Sequence, residues 1–360
     1  MTEAVSISFR ITEPMMFRGP GEFDPFVRGT YSRALTLAIP SPSTVAGTLA
    51  TYCISELGKT APSSVDWLEK YLSVLGSDVE IRGPLIKLNC ELMAEDRLSG
   101  GFLTLEKIKQ KCEKEWKKLS QKANSLKQLD ENLKKEKFEP SVEVEKNVRA
   151  GVRLQTREGI PMKSAKEGFL YGAEYIDYIG KRGKKTGEPS VEIIAEIRGE
   201  LVKSLSSARE LPVKFGGEGR VALLSFQQGE EILSEIKERL WNDQEKHYGF
   251  LAIYLATPTL FKGGVRVEKY VKQWAENMNY RFVGLSGESA LLSTGFMIRE
   301  ERRKPIYTSF SPGSIIFLEG SFDLLGIYHD KTLSQASMLG YGTYIPIPIA
   351  NNTSDSEDAC

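Results

Sequence analysis

Apolar and polar residues alternate from Val5 to Ile11, the alternation ends at Pro14, and the same pattern returns late in the chain. The first copy reads Ile7-Ser-Phe-Arg-Ile-Thr-Glu-Pro14-Met-Met-Phe17-Arg18-Gly19. The second reads Leu251-Ala-Ile-Tyr-Leu-Ala-Thr-Pro258-Thr-Leu-Phe261-Lys262-Gly263. Period-2 alternation closed by Pro and Gly is a strand running out into a loop. Gly lets a backbone come close to a ligand, and the cation beside it favours a negative one. The repeat predicts a duplicated unit with two cationic loops. Coincidence is the alternative, since Pro, Phe and Gly are common at strand ends.

The remaining pattern sorts into elements. Residues Glu13 to Tyr31, dense in Pro and Gly, read as an irregular loop. Ser41-Pro42 starts a helix, with Ser41 as N-cap, Pro42 at the first helical position and Val45, Leu49 and Ile54 on one face. Val79 to Leu92 is a strand broken near Gly83-Pro84. From Glu106 to Lys137 the chain is rich in Lys and Glu, with Leu105, Ile108, Cys112 and Leu119 at helical steps. That is an amphipathic helix or helix pair, whose lysines suit a solvated face as well as a phosphate. Val148–Leu154, Phe169–Ile179, Val191–Ile197 and Arg220–Phe226 read as strands, and Gly180 to Gly187 as a basic hairpin tip. Glu230–Lys246 reads as a bridging helix, Val267–Ala275 as a helix, and Ser314–Glu319 and Phe322–Tyr328 as strands.

Strands interleaved with single helices, with the opening unit repeated, predict an α+β fold of two small sandwiches. The split βαββαβ unit is the simplest candidate, and it is a common platform for single-stranded RNA. The expected organisation is an N-terminal domain over 1–228 carrying a Lys-rich helical insertion over 104–138, a C-terminal domain over 229–350, and a polar acidic tail over 351–360, expected to be disordered.

Charge narrows the partners. The 48 basic and 48 acidic residues balance, so a polyanion site must be a local patch. The absence of a long apolar run or a leader predicts a cytoplasmic protein without membrane contact. Cys53, Cys90, Cys112 and Cys360 are too scattered for a zinc knuckle or a disulfide frame. His247 and His329 are the two histidines, and neither sits in a metal or nucleophile motif. No metal, cofactor or catalytic residue is therefore expected. Glu218, between glycines, reads as a turn anchor before it reads as an acid or base.

Binding chemistry is richer. Arg18, Arg28 and Arg33 lie in or beside the first Pro/Gly loop, and Lys262 and Arg266 hold the matching place in the second half. Arg149 and Arg153 flank Gly151, Arg220 follows Gly216-Gly217-Glu-Gly, and Gly340-Tyr341-Gly342 makes a flexible aromatic turn. The helix start around Ser43, Thr44 and Gly47 offers free N–H groups to a phosphate. Cations set on glycine loops among aromatics suit a single RNA strand, with phosphates on Arg and Lys and bases on rings. Ordinary surface arginines and hairpin turns account for each feature taken singly.

The order of motifs resembles the RAMP superfamily of CRISPR proteins. More narrowly, it resembles the subunit of type III-B (Cmr) effector complexes that holds the 5′ handle of the guide RNA. Its residues are Phe17-Arg-Gly-Pro-Gly-Glu-Phe23, Pro40-Ser-Pro-Ser-Thr-Val-Ala-Gly47, Arg149-Ala-Gly-Val-Arg153, Glu167-Gly-Phe-Leu-Tyr171, Phe215-Gly-Gly-Glu-Gly-Arg220, Ala256-Thr-Pro-Thr-Leu-Phe-Lys-Gly263, Ser311-Pro-Gly-Ser-Ile-Ile-Phe317 and Leu339-Gly-Tyr-Gly342. A diglycine-tryptophan motif is missing around Gly284 to Gly295, and the Lys-rich insertion has no counterpart in the pattern. The resemblance implies two ferredoxin-like domains and a non-catalytic assembly role. The chain would bind the 5′ tag of the CRISPR RNA, dock the large polymerase-like subunit and abut a RAMP backbone subunit. The rival is a RAMP-type endoribonuclease cutting precursor RNA through His247, His329 or a Tyr and Lys. A third reading is a protein adaptor working through the Glu106–Lys137 helix.

Overall fold

The computed structural model describes residues 4–19, 33–60, 66–124, 138–143, 145–157, 160–178, 190–205, 210–262, 266–294, 296–297 and 302–350. The architecture is α+β with antiparallel sheets, as the pattern predicts. The tail, the Gly180–Gly187 turn and Arg28 lie outside the described residues.

Strand β1 (Ala4–Ile11) leads through a loop to helices α1 (Pro42–Ser55) and α2 (Trp67–Leu75), then to β2 (Glu80–Leu88), β3 (Glu91–Asp96) and β4 (Gly101–Thr104). Helix α3 (Leu105–Asn124) follows, then the long hairpin β5 (Glu145–Arg157) and β6 (Ile160–Asp177), and strands β7 (Val191–Arg198), β8 (Leu211–Lys214) and β9 (Val221–Gln228). Helix α4 (Glu231–Leu240) connects to β10 (Lys246–Leu255), β11 (Thr259–Phe261), α5 (Val267–Asn277), β12 (Arg281–Ser286), β13 (Ser289–Ser293), β14 (Ile306–Phe310), β15 (Ile315–Asp323), α6 (Leu324–Tyr328) and β16 (Tyr344–Ile349).

The first sheet runs β8-β9-β1-β7-β2-β3-β4, ending on a short strand at Val142–Glu143. Its central strands, numbered by appearance, stand in the order 4-1-3-2, all antiparallel. The second sheet, β12-β15-β10-β16, has the same order read from the other edge, again all antiparallel. Both copies of the repeated phrase leave strand 1 of their own sheet. Phe17 is 1% exposed and Phe261 is not exposed, so each anchors its loop in a core. Arg18 and Lys262 are exposed.

Helices α1 and α2 cover one face of the first sheet, where Val5, Ile7, Phe9 and Ile11 meet Val45, Leu49, Cys53 and Trp67. Pro42 opens α1 as expected, but the Ser41 hydroxyl meets those of Ser43 and Thr44 at 3.0 Å instead of capping a backbone N–H. Ile54 is 40% exposed, and Cys53 takes the buried place expected for it. The other face carries Leu85, Leu92, Ala94, Leu103 and Ile194 into a second core with α3, α4 and the second sheet. Trp116 on α3 lies 4.3 Å from Phe250 and 5.5 Å from Phe317, ring to ring. Trp241, just after α4, donates from Nε1 to the Pro346 carbonyl at 2.9 Å. Helices α1 and α2 therefore cover the outer face of the first sheet, and α3 and α4 pack between it and the second sheet. The insertion helix, expected to present a solvated face, uses its apolar stripe to hold the second sheet onto the first.

Two other expectations change. Phe322–Tyr328 is the end of β15 and a short helix, because Asp323 accepts from the Gly326 N–H at 2.6 Å and caps a turn. The helix expected over Glu230–Lys246 stops at Leu240, and Lys246 already belongs to β10. Strand β16 carries Pro346 and Pro348 on a sheet edge, where a missing N–H leaves no ladder bond unmade.

A buried carboxyl sits where the layers meet. Glu196 on β7 accepts from Ile232 N at 2.5 Å, Leu233 N at 3.2 Å and the Tyr328 hydroxyl at 2.7 Å, tying the first sheet to α4 and α6. Burial raises its pKa to about 7, against the pull of those donors. The unfolded value is about 4.3, so folding favours the protonated form. This contribution to stability is complete below the unfolded value and is lost as pH rises through about 7. Glu196→Gln is expected to flatten the fall in denaturation midpoint between about pH 4 and 7. An unaltered pH slope would show that another group titrates.

Candidate nucleic-acid interface

Two of the expected cations, Arg149 and Arg220, meet at the foot of the β5–β6 hairpin, whose strands run about 40 Å or more at ordinary strand rise. After β1 the chain bonds to β6, Met15 N to Ile176 O at 2.9 Å and Ile176 N to Met15 O at 2.7 Å. The glycine loop before β9 closes on itself through Phe215 N to Arg220 O at 2.8 Å, and Gly217 N donates to Met16 O at 2.8 Å. Gly216 has φ +84°, and a Cβ placed there would lie 2.5 Å from Met16 O, so only glycine allows this approach. The loop tip is exposed.

Arg220 and Arg149 converge on one ring. The Arg220 guanidinium carbon lies 4.5 Å from the Tyr175 ring centre, and that of Arg149 lies 5.2 Å from it. Tyr175 is buried, Arg149 is exposed and the Arg220 side chain is 18% exposed. Glu13 pairs with Arg220 Nη1 and accepts from Val221 N at 2.9 Å. That N–H, with Arg220 and Arg149, holds the Glu13 carboxyl below the usual carboxylate range against partial burial. Arg220 Nε is buried without a hydrogen-bond partner among the described residues. Neither Glu13 nor Tyr175 stands out in the sequence as a binding residue, although Glu13 directly precedes the Pro14 of the repeated phrase.

The glycine turn of the second half has another setting. Gly340, Tyr341 and Gly342 are buried where the halves join. The Tyr341 hydroxyl donates to Ser43 Oγ at 3.1 Å, and Gly83 N donates to Thr343 Oγ1 at 2.9 Å. Ser43 is buried with them, whereas Thr44 and Gly47 are half-buried on α1. These glycines have a packing reason: a Cβ on Gly340 would lie 2.4 Å from Gly83 O, and one on Gly342 would lie 2.4 Å from Ser334 Cβ. The turn also mirrors its counterpart, since Gly342 N donates to Pro258 O at 2.9 Å as Gly217 N does to Met16 O. In both halves the glycine loop before strand 4 clasps the loop after strand 1.

Lys262 and Arg266 are exposed just ahead of α5 in the second half. Arg33 lies in a two-residue strand pairing with Gly172 of β6, and Arg153 lies within β5. The two large sheets are covered on each face by helices, so among the described residues neither offers the open face on which RRM-type domains stack bases. Any contact with RNA falls to loops, hairpin and edges. His329 is half-buried at the joint, and burial beside Arg198 and Arg82 lowers its pKa to about 3. His247 bonds the Phe250 carbonyl at 2.8 Å and stacks on Phe322. Among the described residues no cluster of His, Cys, Asp or Glu has the make-up of a metal site, and no helix is long and apolar enough to cross a membrane.

Residues 89–348 match the family described as CRISPR-associated protein (Cas_Cmr3). The chain belongs to that family. It is 24% identical over 320 residues to the CRISPR system CMR subunit Cmr3 of Saccharolobus solfataricus, covering 84% of this chain and 83% of that one. Two cryo-EM structures of type III-B Cmr-beta bound to cognate target RNA, one of them also with AMPPnP, contain chains of similar fold. Their TM-scores are 0.55 and 0.53 at 20% and 22% identity, covering 87% of this chain and 86% of each of those chains. The family match bears out the resemblance to a type III-B Cmr subunit. It starts at residue 89, so the Phe17 and Pro40 motifs lie ahead of it.

Proposed function

We propose that the chain is a non-catalytic, RNA-binding assembly subunit of a type III-B CRISPR effector complex. In this reading it binds the 5′ tag of the CRISPR RNA, docks the large polymerase-like subunit and abuts a neighbouring RAMP backbone subunit. Each half is a ferredoxin-like βαββαβ unit, a reading supported by the repeated 4-1-3-2 strand order and the matching clasp of glycine loop on strand-1 loop. The observation that carries the RNA reading is the convergence of Arg149 and Arg220 on Tyr175 beside an exposed glycine loop. A backbone phosphate fits two cations there while the loop backbone stays close. Arg18, exposed on the same loop as Glu13, extends that surface. The enclosed setting of His329 and its low pKa support a role in packing rather than in general acid–base cleavage.

Arg18→Ala and Arg220→Ala are expected to weaken guide-RNA binding and to shallow its salt dependence by about 0.7 in log–log slope for each single-strand phosphate that no longer meets its cation. Titrating labelled CRISPR RNA against wild type and both variants over a range of salt measures this, and recovery of intact RNA separates the scaffold from the nuclease. Unchanged slopes in both variants would remove these residues from the interface.

A further inference from the structure

We infer that Glu13 is an internal anion lodged in the place meant for an RNA phosphate, so that RNA engages this loop by displacing the Glu13 carboxylate from Arg220 and Val221. The inference rests on the RNA-binding reading of the Arg149–Arg220 loop and adds an exchange step to it.

The groups holding the carboxylate are those that hold a phosphate. Arg220 offers its guanidinium, the Val221 backbone N–H donates at 2.9 Å, and Arg149 shares the Tyr175 ring with Arg220. Glu13 meets Arg220 through Nη1 and leaves its buried Nε without a partner among the described residues, so the carboxylate does not satisfy this guanidinium fully. A backbone phosphate carries the same single charge as the carboxylate and, unlike it, arrives with its neighbours along the strand, so it competes for the same donors.

The duplicated half shows that the carboxylate charge is not needed to make the clasp. The residue matching Glu13 in the repeated phrase is Thr257, directly before Pro258. Its hydroxyl accepts from Thr343 N at 2.9 Å and donates to Gly340 O at 2.7 Å. In both halves, then, the residue before the proline receives a backbone N–H at the entry to strand 4. A neutral hydroxyl does this where the loop is buried, and a carboxylate does it where the loop is exposed and carries Arg220. The charge of Glu13 therefore serves the arginine. It keeps a half-buried guanidinium paired until a competing anion arrives, and it sets a threshold that stray anions must exceed.

The test is a fluorescence titration of the full chain with a labelled oligouridylate, comparing wild type, Glu13→Gln, Glu13→Thr and Arg220→Ala at low and moderate salt. Glu13→Gln keeps the length and the acceptor for Val221 N, and Glu13→Thr copies the residue of the other half. Both are expected to tighten binding by about threefold to tenfold at low salt, the gain shrinking as salt rises. Unchanged or weaker binding in both variants, with Arg220→Ala still impaired, would overturn the exchange and leave the RNA reading standing. Equal binding by Arg220→Ala and wild type would overturn the loop as an RNA site, and the exchange with it.

Discussion

Gly340→Ala is expected to destabilise the chain by roughly 3 kcal/mol or more, seen as a lowered midpoint in chemical denaturation. Gly340 has φ +99°, where an L side chain is strained, and its added Cβ would lie 2.4 Å from Gly83 O and 3.5 Å from Pro42 Cβ. Those neighbours are backbone and a ring at the start of a helix, so neither can turn aside as a flexible side chain would. The turn is also held by four bonds within the second half: Thr257 Oγ1 to Gly340 O at 2.7 Å, Thr343 Oγ1 to Gly340 O at 2.9 Å, Gly342 N to Pro258 O at 2.9 Å and Ala256 N to Thr343 O at 2.9 Å. Gly219→Ala is the control. It has φ +70° and nothing within 4 Å of its added Cβ, so strain alone, about 1 kcal/mol, is expected there. Equal losses from the two substitutions would show that the joint yields to a methyl group.

Lys111→Ala is expected to destabilise by about 3–5 kcal/mol, because it leaves a buried charge without its counterion. The Lys111 side chain is 8% exposed and Asp96 is not exposed. The ammonium donates to Asp96 Oδ2 at 2.7 Å and to Gly313 O at 3.0 Å, joining α3, the end of β3 and the turn before β15. Asp96 Oδ1 accepts from Leu98 N at 3.1 Å and Ser99 N at 3.4 Å, so the carboxylate is fixed and cannot follow the departed cation to water. Lys111→Met combined with Asp96→Asn should recover most of the loss, since it removes both charges and keeps the acceptor for those amides. Denaturation midpoints of the single and double variants measure the coupling. A double variant as unstable as Lys111→Ala would mean that the bond to Gly313, not the ion pair, holds the corner.

The sequence shows local form well and destination poorly. The strand at Val5–Ile11, the Pro42 helix start and the apolar stripe of α3 follow from periodicity, because each depends on neighbours a few residues away. That the α3 stripe lands on Phe250 and Phe317 depends on residues more than a hundred positions distant, which no local pattern encodes. The same limit separates the two glycine loops. Both read alike as cationic or aromatic turns, yet Gly216 stands in solvent and Gly340 is walled in by Gly83 and Pro42. Tyr175 lies within an apolar strand, where only the hairpin register brings Arg149 over its ring. The apolar run of Phe322–Tyr328 suits a strand, while one carboxylate, Asp323, turns it into a helix.

The helical layer between the two sheets has a consequence for synthesis. The N-terminal half leaves the ribosome with the outer side of α3, Trp116 included, awaiting partners that lie as late as Phe250 and Phe317. At about 5–20 residues per second, that surface stays bare for roughly 10 s on each nascent chain. A gene cut between the halves would strand it permanently, so each fragment would depend on chaperones or on co-expression of the other.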